Sequence, residues 1–220
     1  METGKLELIL GTMFGQKTTE LILKLKKFEH GSNYEVQLFK PTIDTRYATN
    51  EIVTHDGLRM NALNANNASD IVDQINPKTS VIGIDEAPFF DSELIEVIKR
   101  LVYDNRKIVI VSGLLYNFRN EFFQFSDGQK DMSDLLALIP DEIVYKKAFC
   151  KHNLRTGEDC NQETMMTQRF MPNGTVAPYN DPLIMLGKEN ITPEEKANLK
   201  RTYSPRCREH FKHYDEVLRK

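Results

Sequence analysis

Apolar positions along this chain fall into short unbroken runs separated by stretches of helical period. Lys5–Leu10 reads as a strand, and Thr19–Glu29 follows with Leu21, Ile22, Leu25 and Phe28 three and four residues apart, as on a helix with one buried face. Tyr34–Phe39 alternates as a second strand. Residues 41–67 are polar and irregular, a loop with room for a short element. Asp70–Ile75 reads as a helix, Val81–Ile84 as a short buried strand, Ser92–Tyr103 as a helix and Lys107–Val111 as another buried strand. Met132–Leu138 reads as helix and Ile143–Phe149 as strand. Strands that are nearly all apolar, alternating with helices, predict a mostly parallel sheet covered on both faces. The pattern changes after Phe149: the remainder is polar, carries five prolines and holds every cysteine. The expected organisation is an α/β domain over 1–148 and, over 149–220, a metal-fastened module or a loop system wrapped on the main domain.

Composition narrows the function classes. The 220 residues carry a net charge of −3, which excludes a bulk nucleic-acid binder. The charge is uneven: residues 146–220 hold 14 Lys/Arg against 10 Asp/Glu, the rest 15 against 22. A weakly basic last third fits phosphate contact and equally a solvated face. Leu6–Leu10 is too short and too interrupted, by Glu7, for a signal peptide, and nothing approaches a membrane span. A cytoplasmic protein is expected, with no membrane partner. There its three cysteines stay reduced, and an odd count points to metal ligation or to nothing rather than to disulfides.

The first strand runs into Gly11, Thr12, Met13, Phe14, Gly15, Gln16, Lys17, Thr18 and Thr19, and a helix follows. Backbone N–H groups of a tight loop and the positive end of a helix bind phosphate oxygens. Lys17 would reach the β- and γ-phosphates and the Thr18 hydroxyl would ligate Mg²⁺. The usual spacing wants glycine where Gln16 stands. Val81–Asp85 is a buried strand ending in a carboxylate, where such folds hold the Mg²⁺ shell. Glu86 follows at once and could serve separately as a base. The fold class expected is therefore a P-loop NTPase-type sheet with helices on both faces.

GTMFGQKTTE, KPTIDTRYATNEIVTHDG and IDEAPFF, in that order, resemble the thymidine kinases of the small zinc-containing class. The resemblance continues through VIVSGLLYNFRNEFF, through KAFC to Thr167 and Arg169, and to Tyr203 and Cys207–His210. It implies phosphoryl transfer from ATP, with Mg²⁺, to the 5′-hydroxyl of thymidine or deoxyuridine in nucleotide salvage. It makes Glu86 the general base, Arg46 a cation at the phosphates beside Lys17, and Asp44 the acidic partner of Arg46. Met13, Asp44, Phe118, Thr167 and Tyr203 become nucleoside contacts, Tyr203 on a lasso-like closing loop. It further implies a homotetramer and feedback by dTTP. His55 is read as structural.

Several positions depart from the family pattern. Gln16 replaces a glycine and calls for a backbone conformation L-residues disfavour, unless the turn moves to Gly15. Pro88 replaces a glutamine, and Leu115 stands where aspartate is common. About fifteen residues separate Met185–Gly187 from Tyr203. The family's structural zinc is implied for Cys150, Cys160, Cys207 and His210, with an insertion of about seven residues between the first two; His152 could replace a ligand, and His213 is a weaker candidate. Two rivals stand beside the kinase: a catalytically impaired nucleotide-binding relative, favoured by Gln16 and Pro88, and a zinc-containing nucleic-acid-binding protein, favoured by the basic tail.

Overall fold

The structure, a computed structural model, describes residues 3–31, 33–42, 50–54, 56–154, 156–183 and 202–214. Two compact units form. The first comprises Met1–Gly11, Gln16–Leu115 and Phe122–Lys146, and the second Thr12–Gly15, Tyr116–Glu121 and Lys147–Lys220.

The first unit is built on a six-stranded sheet. Its strands are β1 (Lys5–Gly11), β2 (Val36–Pro41), β5 (Leu63–Ala65), β6 (Val81–Ile84), β7 (Ile108–Leu114) and β8 (Glu142–Lys146), in the order β5-β2-β6-β7-β1-β8. Every pairing in it is parallel. Helix α1 (Lys17–Glu29) lays Leu21, Ile22 and Leu25 on one face, against Ile9, Leu38, Val81 and Ile110. The side chains that alternate with these, Leu8, Leu10, Ile82, Ile84, Val109 and Val111, are fully buried as well, so both faces are covered. A Cβ on Gly83 would lie 2.5 Å from Leu25 Cδ1. The missing side chain lets α1 settle closely on β6.

Two parts of this unit differ from the sequence expectation. The described residues of 41–67 hold three strands: β5, and β3 (Glu51–Val53) paired antiparallel with β4 (Arg59–Asn61). They are three residues each and mix polar with apolar positions, so they carry too little periodicity to be read. The stretch 92–103 forms helix α3 (Leu94–Lys99) continued by one wide π-type turn, Arg100–Asp104. Just before it, the Ser92 N–H and hydroxyl both donate to Asp127. The remaining helices, α2 (Ala68–Gln74) and α4 (Ser133–Leu136), are short, and Asn67 caps α2 by accepting from the Asp70 N–H.

The third difference opens the second unit. Ile143–Phe149 is not one strand: β8 ends at Lys146, and β9 (Ala148–Phe149) pairs antiparallel with β10 (Glu163–Thr164). Beyond the carboxyl end of a parallel sheet the backbone needs another partner, and β10 supplies it. A second ribbon pairs β11 (Thr167–Phe170) with β12 (Thr202–Pro205), placing Arg169 opposite Tyr203. No helix among the described residues is long and apolar enough to cross a membrane.

Candidate active site and metal centre

In the first unit the phosphate-loop chemistry gathers at the carboxyl ends of β1, β6 and β7. β1 ends at Gly11, whose missing side chain matters: a Cβ there would sit 2.1 Å from the Lys146 carbonyl oxygen. Gln16 lies at φ 57°, ψ 35° immediately before α1, and Gly15 is not at positive φ, so the turn stays at position 16. Lys17 opens the helix and is buried. The Thr18 hydroxyl donates to Asp85 Oδ2 at 3.0 Å, and the Ser112 hydroxyl donates to Asp85 Oδ1. Ser112 belongs to β7, the strand between β1 and β6, so the sheet order itself brings it to the carboxylate. Burial pushes the Asp85 carboxyl above the usual carboxylate range, against the two hydroxyl hydrogen bonds and the Lys17 charge, which favour ionisation. A cation held at Thr18 and Asp85 would favour the carboxylate further. Glu86 follows at φ 52°, ψ 45° and leads into a 3₁₀ turn, Ala87–Phe89, which contains the buried Pro88. Thr19 is half-buried, with a 3.5 Å contact to Asp56.

Gln16 carries a testable cost. The left-handed region costs an L-residue roughly 1–2 kcal/mol, while glycine adds entropy to the unfolded chain. Gln16→Gly is expected to match wild type or gain up to about 1 kcal/mol, whereas the β-branched Gln16→Val loses about 1–2 kcal/mol. Thermal unfolding that ranks valine above glycine would contradict the assigned backbone.

In the second unit the loop residues Thr12–Gly15 meet β11. The Thr12 and Thr167 hydroxyls share a hydrogen bond, and the Met13 N–H donates to Thr167 Oγ1 at 3.3 Å. Phe14 stands exposed at φ 64°. Phe118 is buried, with the Arg169 guanidinium 3.9 Å from its ring centroid; the same guanidinium lies 5.2 Å from the Tyr203 ring. Burial pushes the Tyr214 phenol up to about 12, so it stays neutral while donating to the Ala177 carbonyl. Met13, Phe118, Thr167 and Tyr203, expected from the sequence, lie here; the sequence does not mark Asp181 and Tyr214 in this unit, or Ser112 in the first, as partners. Ser112 could have been found as a hydroxyl near the carboxyl end of a buried strand; Asp181 and Tyr214 carry no local signal. Asp44, Arg46, His55 and Met185–Gly187 lie outside the described residues. Leu115 is buried, and its N–H donates to the Gly11 carbonyl.

Also in the second unit, Cys150, Cys160, Cys207 and His210 bring four donor atoms within 4.8 Å of one another. The described residues between them fold back: Asn153 bridges Asp159, the Leu154 N–H donates to the Glu158 carbonyl, and the Cys160 N–H donates to the His152 carbonyl. The stretched spacing therefore returns Cys160 beside Cys150. The separations are 3.9 Å for Cys160–Cys207, 3.7 Å for Cys150–His210 Nδ1 and 3.3 Å for Cys207–His210 Nδ1. A tetrahedron with zinc–ligand bonds of about 2.0–2.3 Å has edges of about 3.3–3.8 Å, so these three separations are close to those of a zinc site, and the wider ones in the set, within 4.8 Å, would close on binding. Burial opposes the Cys207 thiolate, yet the Glu209 and His210 N–H groups and the neighbouring thiols hold its thiol below the usual range. Cys160 accepts from the Gln162 N–H, but burial and the two other sulfurs push its thiol up. His152 stacks on the His210 ring at 4.0 Å and is no member of the donor set; His213 packs edge-on against Phe211 instead.

A parallel sheet whose first strand turns through a left-handed residue into a Lys-Thr helix start, with a hydroxyl-bound aspartate at the end of β6, is an α/β nucleotide-phosphate fold. The thymidine kinase family model matches residues 4–211, and the chain belongs to that family. The family's chemistry is phosphorylation of a nucleoside by ATP.

Proposed function

We propose that this protein transfers the γ-phosphoryl group of ATP to the 5′-hydroxyl of thymidine or deoxyuridine in nucleotide salvage. The observation that carries the reading is the Thr18–Asp85–Ser112 constellation at the start of α1, with Glu86 next in the chain. Backbone N–H groups of Gly11–Thr19 and the Lys17 ammonium bind the triphosphate. Thr18 and Asp85 would hold Mg²⁺, which neutralises charge on the phosphates when bound. Glu86 accepts the proton of the 5′-hydroxyl as the oxygen attacks phosphorus, and Arg46 steadies the equatorial oxygens. The resemblance assigns Met13, Asp44, Phe118, Thr167 and Tyr203 to the nucleoside.

On this reading residues 1–148 are the kinase domain and 149–220 the zinc-bearing segment. Cys150, Cys160, Cys207 and His210 would hold a structural zinc with no open position. A homotetramer, inhibition by dTTP and a cytoplasmic location follow from the resemblance. The substrate is tested by offering ATP with thymidine, deoxyuridine, deoxycytidine, deoxyadenosine and deoxyguanosine in turn and comparing kcat/KM. The reading requires thymidine or deoxyuridine to lead; a purine or cytosine nucleoside in front would overturn that choice.

A further inference from the structure

We propose that Arg169, through its ion pair with Asp181, positions Phe118 and Tyr203 and thereby sets the affinity for the nucleoside; this rests on the kinase reading above. Its guanidinium is 2% exposed and the Asp181 carboxylate 6%. Nη1 donates to Asp181 Oδ2 at 2.9 Å and to the Pro182 carbonyl, and Nη2 donates to the Leu183 carbonyl at 2.7 Å. The edge of the planar cation is thus committed to residues 181–183. Its centre lies 3.9 Å from the Phe118 ring centroid and 5.2 Å from that of Tyr203, which is also its register partner across the β11–β12 ribbon. One side chain therefore ties together four separate stretches: 116–121, β11, 181–183 and β12. Thr167 stands two residues earlier on the same strand and shares its face with Arg169.

The chemistry asks for arginine. Forked donors along one edge and a flat face for aromatic contact belong to a guanidinium; a lysine ammonium is a point charge with neither. Stability alone gives little reason to bury this pair, because well-packed apolar side chains of similar volume are often as stable. What the ion pair adds is direction. Asp181 is itself fixed from a second side, since its carbonyl accepts from Arg119 Nη2 at 3.0 Å, and the Arg119 guanidinium lies 5.3 Å from the Phe118 centroid. The Phe118 ring thus lies near two cations that share one anchoring residue.

The test uses the full-length, zinc-loaded protein and two variants, Arg169→Lys and the apolar pair Arg169→Met with Asp181→Leu. Steady-state kinetics are measured with each substrate varied, alongside thermal unfolding. For both variants the KM for thymidine is expected to rise about tenfold or more, while the KM for ATP and kcat change by less than about threefold. The apolar pair is expected to keep the wild-type Tm, so the loss of affinity cannot be charged to unfolding. If Arg169→Lys fails to fold, the apolar pair decides. A folded variant with unchanged thymidine KM, or with both KM values raised alike, would overturn the inference. A wild-type protein that phosphorylates no nucleoside would overturn the kinase reading, and the inference with it.

Discussion

Glu86→Gln is expected to lower kcat for nucleoside phosphorylation by about a thousandfold, within the range for loss of a positioned general base. ATP affinity is expected to stay within about threefold, because the amide keeps the shape of the carboxyl and the phosphates rely on other groups. The assignment starts from position. Glu86 follows the strand whose end carries Asp85, and its backbone is held at φ 52° by the turn to Phe89, whose N–H donates to the Glu86 carbonyl at 3.0 Å. A left-handed glutamate costs roughly 1–2 kcal/mol, a strain that tends to persist at functional sites. Asp85 is unsuited to the base role because the Ser112 and Thr18 hydroxyls already occupy both of its oxygens. The measurements are single-turnover kinetics and equilibrium nucleotide binding on the same preparation. A variant that binds ATP and retains wild-type kcat would move the base elsewhere.

Removal of the metal is expected to have the second large effect, and on folding rather than on chemistry. Cys150 and Cys207 are buried, and the donor set joins the β9 end of the chain to the turn after β12. Without a cation, three thiols and an imidazole crowd within 4.8 Å. Cys207→Ser or strong chelation is expected to cost several kcal/mol, since binding energy at such a site is folding energy. Hydrogen exchange should quicken in 147–183 and 202–214 while the β1–β7 core keeps its protection. Affinity should also fall as pH falls, because each thiolate must first lose its proton. One zinc per chain by elemental analysis supports this account; a metal-free preparation with unchanged Tm contradicts it.

Much of the first unit was legible in the chain because its strands are buried on both faces. Leu6–Leu10, but for Glu7, and Val81–Ile84 are apolar, and Leu21, Ile22 and Leu25 mark the buried face of α1. Arg59–Asn61 and Leu63–Ala65 were not legible, because short strands with exposed polar positions look like loop. The left-handed backbone at Gln16 was foreseeable from the missing glycine. That of Glu86 was not, since nothing in DEAPFF separates a left-handed residue from an ordinary turn. In the metal cluster, nine residues between Cys150 and Cys160 hide the pairing until the Asn153–Asp159 bridge folds them back. Ser112 and the Arg169–Asp181 pair depend on strand order and tertiary contact, which no local spacing encodes.

The central claim is that this chain makes a nucleoside 5′-monophosphate from ATP. The most direct measurement follows thymidine and ATP by ³¹P NMR with the zinc-loaded wild-type protein and Mg²⁺ present. The account predicts stoichiometric appearance of ADP and a single new phosphomonoester at the 5′ position. ATP consumed without a nucleotide product, or no turnover by the folded protein with thymidine or deoxyuridine, would contradict it.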